Sequence, residues 1–279
     1  MNNSTQLLQH AQKVLRMYEL PALEARLLLA YVLHRSPEWL IAHPEHVISV
    51  WQKIRFIRLL RKRKKGIANA YLIGKKEFWG RSFKVRPPVH IPRPDTETMI
   101  ATIVESHYRN NSFTVHDVCT GSGCIAITIA LECPYAQVSA SDISMLALRT
   151  AKKNNKRWGH PLVYLKRSNF LNKIKGKFDV ITANPPYLSQ NEWEQIKHCG
   201  ESHNALVAPE NGYAAYKIIT RQAIAHLKDK GMLIYEIGHT QTDIIQNYMQ
   251  QAGFNNIEVI KDLGGRPRII KGIYFSEEI

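Results

Sequence analysis

The sequence predicts an α/β fold: a doubly wound, mostly parallel sheet of seven strands, preceded by an N-terminal helical bundle and a β-hairpin. Three observations favour this fold. Apolar runs of strand length alternate with amphipathic stretches from residue 95 onward, a pattern typical of βαβ units. A glycine-rich turn separates the first of these runs from an apolar helix. Residues 1–70 show helical periodicity without a convincing strand.

The N-terminal residues 1–70 are predicted to form a small bundle of helices. Leu7, Ala11 and Leu15 recur at the spacing of one helix face, and prolines interrupt the pattern at several later points. A last, basic helix is predicted to end near Gly66. Short helices with one apolar face each are expected to pack against one another.

The next segment, residues 71–93, changes character. Glu77 to Val85 alternates aromatic and polar residues around Gly80, which predicts a β-hairpin. The prolines between residues 87 and 94 then stiffen the chain as a linker. The chain is therefore divided into parts at 1–70, 71–93 and 94–279.

Strands and helices alternate in the third part, which predicts a mostly parallel sheet. Strands are expected at 115–118, 138–142, 162–166, 178–183, 231–237, 256–260 and 269–275. Helices are expected at 95–108, 123–132, 144–157, 212–228 and 240–251. The last two strands have only a short glycine-rich link, so they are expected to form an antiparallel pair at the sheet edge.

The formal net charge of +15 is concentrated in the N-terminal third. Residues 1–93 hold 18 Lys and Arg against 5 Asp and Glu, whereas the rest of the chain holds 20 against 18. Seven of the eleven residues from Arg55 to Lys65 are basic. This run is interpreted either as the solvated face of a helix or as a surface that docks an acidic protein or a nucleic acid. The charge favours a partner without naming it.

Composition disfavours several classes of protein. No apolar run approaches the roughly 20 residues that span a bilayer, and the polar segment Met1–His10 does not resemble a secretory signal, so no membrane association is expected. The cysteines lack paired metal-ligand spacing. We expect free thiols in a reducing cytoplasm and no metal site at Cys119, Cys124, Cys133 and Cys199.

The glycine-rich turn Cys119-Thr120-Gly121-Ser122-Gly123 lies between the first predicted strand of the sheet and its helix. Glycines there bring backbone N–H groups close to a ligand at the positive end of the helix. Asp142 ends the second strand about twenty residues later, where a carboxylate can accept hydrogen bonds from ribose hydroxyls. Together these features indicate an adenosine-containing cofactor.

Two other interpretations of this turn remain open. Gly121, Gly123 and Ala126 satisfy the relaxed dinucleotide fingerprint, and a tight βα turn needs glycine for its geometry alone. Asp117, at the end of the first strand, makes an Asp-x-x-x-Gly-x-Gly pattern that resembles the first motif of class I methyltransferases. A carboxylate there would repel a pyrophosphate, which disfavours a dinucleotide.

The tetrapeptide Asn184-Pro185-Pro186-Tyr187 follows an apolar strand, at the sheet edge where ligands bind. Two prolines make a stiff turn that presents carbonyl oxygens, and the Asn184 side chain adds another acceptor. Converging acceptors hold both hydrogens of an NH2 group, and the Tyr187 ring offers a flat face for stacking. The pattern predicts methylation of a planar amide or amino nitrogen by positioning, without a required general base. An ordinary proline turn after a strand is the bland alternative.

Further motifs favour a protein acceptor. Tyr71–Gly74, Glu77–Gly80 and Ile91–Glu97 resemble signatures of the PrmC/HemK family, the peptide chain release factor glutamine N5-methyltransferases. The resemblance implies a class I, Rossmann-like methyltransferase domain at 94–279 and a helical substrate-docking domain at 1–70. It also implies S-adenosyl-L-methionine as methyl donor, S-adenosyl-L-homocysteine as product, and the glutamine of the Gly-Gly-Gln motif in class I release factors as acceptor.

The resemblance also implies roles for particular residues. The residues of the glycine-rich turn would line the methionine and ribose, Asp142 would hold the ribose, and Phe170 would lie against the adenine. The expected cofactor-binding residues are Asp117, Cys119, Thr120, Gly121, Ser122, Gly123, Asp142, Asn169, Phe170 and Asn184. The expected catalytic and substrate-binding residues are Asn184, Pro185, Pro186 and Tyr187, which would grip the glutamine side chain.

The segment Ile91–Glu97 is expected to border the active site, but the sequence assigns it no chemical step. Its residues predict a rigid entry to a helix, with Asp95 or Thr96 as the cap and Glu97 in the first turn.

The chain departs from the family pattern at three positions. Cys119 stands where glycine is usual, Asn169 replaces an aspartate, and Ser202 replaces a proline. None of these changes removes a group that the proposed chemistry needs, so activity is expected.

Two enzymatic alternatives and one non-enzymatic alternative stay open. Methylation of a glutamine on a ribosomal protein is poorly separated from the leading hypothesis. Adenine N6-methylation of a nucleic acid shares the tetrapeptide but would need a sizeable recognition module and a base-flipping pocket. A binding protein that uses only the basic region is disfavoured because Asn184 and Tyr187 stand beside a complete cofactor loop.

Overall fold

The computed structural model describes residues 3–17, 20–106, 111–158, 162–196 and 200–276. These residues divide into two compact units. The first unit runs to Lys75 and includes Gly200, and the second contains the remaining residues from Lys76 onward.

The first unit is built from helices around its own apolar core. Its helices are α1 (Ser4–Arg16), α2 (Leu23–Leu33), α3 (Pro37–Ala42), α4 (Val50–Lys64) and α5 (Asn69–Ile73). Leu7, Ala11 and Leu15 on α1 are buried against Leu28 and Leu29 of α2. The predicted helical periodicity is therefore the face that forms this core.

The basic helix α4 buries more than apolar side chains. Phe56 and Leu60 are buried, as expected. Arg63 is only 4% exposed, and its guanidinium donates hydrogen bonds to the Glu24 carboxylate, with 3.3 Å between Nη2 and Oε1. Because removal of either partner would leave an uncompensated buried charge, loss of Glu24 or Arg63 alone would destabilise the bundle. The basic side chains left exposed on this run are Arg55, Arg58, Arg61, Lys62 and Lys65.

The predicted hairpin is present and, apart from its first residue Lys75, belongs to the second unit. It consists of β1 (Lys75–Phe78) and β2 (Arg81–Lys84). Phe78 and Phe83 are buried in that unit's core, with their ring centroids 6.0 Å apart. The hairpin is thus anchored by two aromatic side chains instead of standing free between two domains.

A seven-stranded sheet organises the second unit and confirms the predicted fold class. Its strands are β3 (Phe113–Val118), β4 (Ala136–Asp142), β5 (Val163–Arg167), β6 (Phe178–Ala183), β7 (Leu227–Glu236), β8 (Phe254–Lys261) and β9 (Pro267–Tyr274). Their order is β5-β4-β3-β6-β7-β9-β8. All the neighbours are parallel except β9, which runs antiparallel to β7 and β8. The last two strands form the expected antiparallel pair at one edge.

Helices cover both faces of the sheet. They are α6 (Glu97–Val104), α7 (Cys124–Glu132), α8 (Met145–Arg157), α11 (Ala214–His226) and α12 (Thr242–Gln251). Two short helices, α9 (Gln190–Ile196) and α10 (His203–Leu206), lie between β6 and α11 in the chain. Val180 packs with α6 and α7 on one face, whereas the next residue, Ile181, packs with α11 and α12 on the other. Because successive strand side chains point to opposite faces, these apolar strands bury both.

The entry to α6 differs from the prediction. A 3₁₀ turn at Pro94–Thr96 precedes the helix, and no side chain caps either element. The prediction that Asp95 or Thr96 caps the helix is therefore wrong. Thr96 has helical backbone angles, and its hydroxyl donates a hydrogen bond to the Glu236 carboxylate instead of accepting one from the helix. Glu97 does lie in the first turn, where its carboxylate accepts a hydrogen bond from Trp79 N (2.7 Å).

Cys119, Cys124 and Cys133 are free thiols, and Cys199 lies outside the described residues. Within the described ranges, no three His, Cys, Asp or Glu side chains gather into a cluster able to hold a metal ion. None of the helices described combines the length and apolar character needed to cross a membrane.

Candidate active site

A cavity of ≈ 680 Å³ opens at the carboxyl ends of the central strands. Strand β3 lies between β4 and β6, so the chain winds outward in both directions from this point. Open α/β sheets bind ligands at such a reversal. Nine of the residues predicted for the site line the cavity: Cys119, Thr120, Gly121, Ser122, Asp142, Asn169, Phe170, Asn184 and Pro186. The predicted residues outside this lining are Asp117, Gly123, Pro185 and Tyr187.

Asp142 organises the glycine-rich turn before any ligand is considered. Its carboxylate accepts hydrogen bonds from Gly121 N (2.9 Å) and Ser144 N (2.8 Å), one at each oxygen. Burial raises the pKa of this carboxyl, and the backbone hydrogen bonds oppose that rise. Each oxygen keeps a further lone pair, so Asp142 can shape the turn and still accept from a ribose.

Gly123 serves packing, which explains why it does not line the cavity. It begins α7 with a φ of +82°. A Cβ there would lie 2.9 Å from Ile127 Cδ1 and 3.1 Å from Ala151 Cβ. A side chain would therefore push α8 away from the start of α7.

Asp117 is completely buried beneath the turn. Its Oδ1 accepts a hydrogen bond from Thr182 Oγ1 (2.8 Å), while Oδ2 has no partner with hydrogen-bond geometry in the described part of the chain. Burial, with a smaller contribution from the charge of Asp142, raises the Asp117 pKa to about 7. Asp117 therefore lies behind the glycine-rich turn and does not itself line the cavity.

Cys119 and Phe170 line the cavity with left-handed backbone angles, φ +60° and +48°. Non-glycine residues rarely adopt this region, and they cluster at ligand sites when they do. The cysteine that replaces the family's glycine is thus accommodated at a strained position. Burial raises the pKa of the Cys119 thiol, so this side chain is a neutral part of the wall.

Two hydrogen bonds fix the backbone of Tyr187, the last residue of the tetrapeptide. Tyr187 N donates to Leu206 O (3.0 Å), and Tyr187 O accepts from Gln241 Nε2 (2.9 Å). The other end of the Gln241 amide accepts from Gly238 N (3.0 Å). These hydrogen bonds fix the backbone of Tyr187, while its carbonyl oxygen keeps a second lone pair.

We expect Gly212→Ala to loosen the tetrapeptide. Gly212 has a φ of +91°, and a Cβ there would lie 2.0 Å from Tyr187 O. The change should lower the free energy of unfolding by about 2 kcal/mol or more, from backbone strain and overlap together, and should reduce kcat. Thermal denaturation and turnover measure the two effects. Gly253→Ala is the control, because Gly253 has a φ of +83° with nothing within 4 Å; an equal loss in both variants would show that overlap with Tyr187 is irrelevant.

Asn184 is held by a carboxylate that sequence reasoning missed. Its Nδ2 donates to Glu236 Oε2 (2.8 Å), and the same oxygen accepts from Thr96 Oγ1 (2.5 Å). The β6–β7 register explains the contact. Ala183 lies beside Tyr235, so the residues that follow them, Asn184 and Glu236, are also neighbours. An acidic residue at the end of an apolar strand was the available signal, but the neighbour of that strand was not predictable locally.

A second buried carboxylate fixes the segment before α6. Glu201 accepts a hydrogen bond from Ile91 N (2.9 Å), pairs with the Arg93 guanidinium, and lies 3.0 Å from His90 Nδ1. Burial alone would raise the Glu201 pKa, but these partners hold it below its usual value. His90 lines the cavity, and no motif had singled it out.

Much of the remaining wall comes from residues 202–218, which carry no recognisable motif. They include Ser202, where the family has proline, and small or apolar side chains such as Ala205, Ala208 and Ile218. Helices α9 and α10, which lead into this wall, were not predicted, since both are shorter than a periodicity argument requires.

Comparisons with known proteins identify the family. Residues 6–74 match the PrmC N-terminal domain, and residues 94–200 match the methyltransferase small domain. The chain is 36% identical over 257 residues to a release factor glutamine methyltransferase from Koribacter versatilis, covering 90% of this chain and 91% of that protein. A second, from Coxiella burnetii, is 34% identical over 268 residues and covers 93% and 94%. This chain belongs to the release factor glutamine methyltransferase family.

Solved structures agree on the fold. A methyltransferase from Pyrococcus furiosus superposes with a TM-score of 0.56 at 16% identity, over 72% of this chain and 92% of that one. The sequence matches confirm the resemblance to the PrmC/HemK family, and the superposition confirms the methyltransferase fold. S-adenosyl-L-methionine, the expected cofactor, is the methyl donor of this class of enzyme, and the cavity offers groups that suit it: the Asp142 carboxylate, the turn with its exposed glycine backbone, and the Phe170 ring.

Proposed function

We propose that this chain transfers a methyl group from S-adenosyl-L-methionine to the side-chain amide nitrogen, N5, of the glutamine in the Gly-Gly-Gln motif of class I release factors. The observation that carries the proposal is the Asn184 amide, held at a cavity next to the cofactor turn. The relatives' shared name, release factor glutamine methyltransferase, supports the same acceptor. A role in translation termination and a cytoplasmic location follow from that acceptor.

The residues of this chain contribute to catalysis by positioning the acceptor amide against the methyl donor. When bound, the cofactor supplies an electrophilic methyl group on a cationic sulfur. An amide nitrogen is a weak nucleophile because its lone pair is delocalised, so acceptors that hold its hydrogens increase its electron density. We propose that Asn184 and the carbonyls of the proline turn hold the glutamine NH2, that Tyr187 packs against it, and that the turn Cys119–Gly123 with Asp142, Asn169 and Phe170 holds the donor.

The test incubates the protein with methyl-labelled S-adenosyl-L-methionine and one of four acceptors. These are a release factor, its variant with the Gly-Gly-Gln glutamine replaced, a ribosomal protein mixture and DNA. Label only on the unaltered release factor is expected. Label on DNA, on ribosomal protein alone, or on the release factor after replacement of its glutamine would contradict the proposal.

We further propose that the exposed basic side chains of the run Arg55–Lys65, on α4 and at its C-terminal end, dock an acidic surface of the release factor. Replacing them with glutamine should weaken acceptor binding about fivefold to tenfold at low salt and make it less sensitive to salt, because exposed charges act mainly through screened, long-range attraction. Titration calorimetry at several salt concentrations measures both. The residues to replace are Arg55, Arg58, Arg61, Lys62 and Lys65. Arg63 is left in place because it is paired with Glu24 inside the bundle.

The matched control removes the same charge from the second unit. Its exposed lysines for replacement are Lys152, Lys153, Lys156, Lys175 and Lys177. Acceptor affinity and salt dependence should stay near those of the unaltered protein. Equal losses in both sets would mean that total charge, and not the α4 surface, attracts the acceptor.

A further inference from the structure

The segment Ile91–Glu97, to which the sequence assigned no step, reaches the tetrapeptide through a buried carboxylate. Thr96 Oγ1 and Asn184 Nδ2 both donate to Glu236 Oε2, at 2.5 and 2.8 Å. Thr96 and Glu236 are each 1% exposed, so the carboxylate is shielded from water, whereas Asn184 is half-buried at the cavity wall. A continuous chain of hydrogen bonds therefore joins the start of α6 to the cavity wall.

These hydrogen bonds determine which end of the Asn184 amide faces the cavity. An ionised carboxylate only accepts hydrogen bonds, so Glu236 requires the NH2 group of Asn184 to point toward it. The carbonyl oxygen Oδ1 must then point the other way. Asn184 lines the cavity, and an acceptor NH2 group needs oxygens to hold its hydrogens.

We propose that Glu236 is a positioning residue for methyl transfer, supported by Thr96, which keeps the Asn184 carbonyl turned toward the acceptor amide. The role rests on the proposed function, and it gives the site a preference for acceptor atoms that carry hydrogens. A carboxylate acceptor, which carries none, is repelled by the same arrangement.

Glu236 has little freedom to move away. Its own backbone carbonyl accepts a hydrogen bond from Tyr216 OH (2.7 Å), and its strand pairs with β9 at Ile269. Burial raises the Glu236 pKa, while the Thr96 hydrogen bond and the charges of His90 and Arg268 oppose the rise. A protonated Glu236 can donate to Asn184 Oδ1, which would let the amide turn over. The titratable and charged groups around it are His90, Asp95, Cys124, Tyr187, Tyr216 and Arg268.

The first experiment compares two substitutions of Glu236 in the full-length protein. Glu236→Leu removes the acceptor, and kcat should fall about a hundredfold while KM for the release factor stays within about threefold. Glu236→Gln can still accept from Asn184, so kcat should recover to within about tenfold of the unaltered protein. Unchanged kcat in Glu236→Leu, or no recovery in a folded Glu236→Gln, would overturn the role.

The pH dependence of kcat separates positioning from a general structural effect. Turnover should fall as the pH falls through the Glu236 pKa, to about the level of Glu236→Gln, because a protonated carboxyl, like the glutamine amide, keeps one accepting oxygen but can also donate. Glu236→Gln itself should show no such acid limb. Thr96→Val removes a bond that favours the ionised form, so the limb should move to higher pH. His90→Asn should keep the limb. A limb that persists in Glu236→Gln, or disappears in His90→Asn, would overturn the assignment.

A measurement without acceptor distinguishes this inference from the proposed function. The Asn184 side-chain NH2 should exchange its hydrogens slowly in NMR spectra of the unaltered protein, and at least tenfold faster in Thr96→Val and Glu236→Leu. Equal exchange rates would overturn the inference even if release factor is methylated. Failure to methylate release factor, with protected exchange, would overturn the proposed function alone.

Discussion

Asn184→Ala is expected to reduce kcat for methyl transfer by roughly a thousandfold, the size of effect seen when one preorganised polar contact to a reacting group is removed. The variant loses the oxygen that holds the acceptor NH2, and it leaves Glu236 without the hydrogen bond that it accepts at 2.8 Å. Single-turnover kinetics with labelled S-adenosyl-L-methionine measure the loss.

Cofactor binding should be largely kept in Asn184→Ala. The turn and Asp142 are organised by their own hydrogen bonds, so the Kd for S-adenosyl-L-homocysteine should change less than about threefold. Asn255→Ala, at an exposed position on β8, is the matched control and should behave like the unaltered protein. Near-normal turnover in Asn184→Ala would remove the amide grip from the mechanism.

The second large effect concerns the cofactor. Asp142→Ala should weaken binding of S-adenosyl-L-homocysteine by about a hundredfold, because it releases two backbone N–H groups and removes the ribose acceptor, and bonds to a charged group contribute about 1.5–3 kcal/mol each. Titration calorimetry measures the change directly.

The control for Asp142 is an exposed carboxylate on the same unit. Asp243→Ala removes an acidic side chain from the first turn of α12 and should leave the Kd unchanged. If Asp142→Ala bound S-adenosyl-L-homocysteine as tightly as Asp243→Ala, Asp142 would be a structural residue of the turn only.

Local patterns predicted the elements of the sheet well. Strands buried on both faces leave runs such as Val180–Ala183, whose apolar character needs no knowledge of the neighbours. The same holds for the glycine-rich turn and for Asn184–Tyr187, because each motif is contiguous. Each of these features is formed by residues that are adjacent in the sequence, so it can be recognised without knowing the fold.

The parts that escaped prediction depend on contacts between distant residues. Glu236 contacts Asn184 only because of the β6–β7 register. Thr96 does not cap its helix, because its hydroxyl donates a hydrogen bond to a carboxylate 140 residues away in the sequence. Burial of Asp117 and Arg63 has the same origin. A residue's type and its neighbours along the chain carry no record of such partners.

The register of the parallel ladder between β6 and β7 fixes which residues meet at the site. It aligns Ala183 with Tyr235, and hence brings together the two side chains that follow. An alanine in either strand would alter packing but keep this alignment. A single inserted or deleted residue would turn every following side chain to the opposite face and separate Asn184 from Glu236. Among natural variants of this chain, we therefore expect β6 and β7 to tolerate changes of residue far more readily than changes of length.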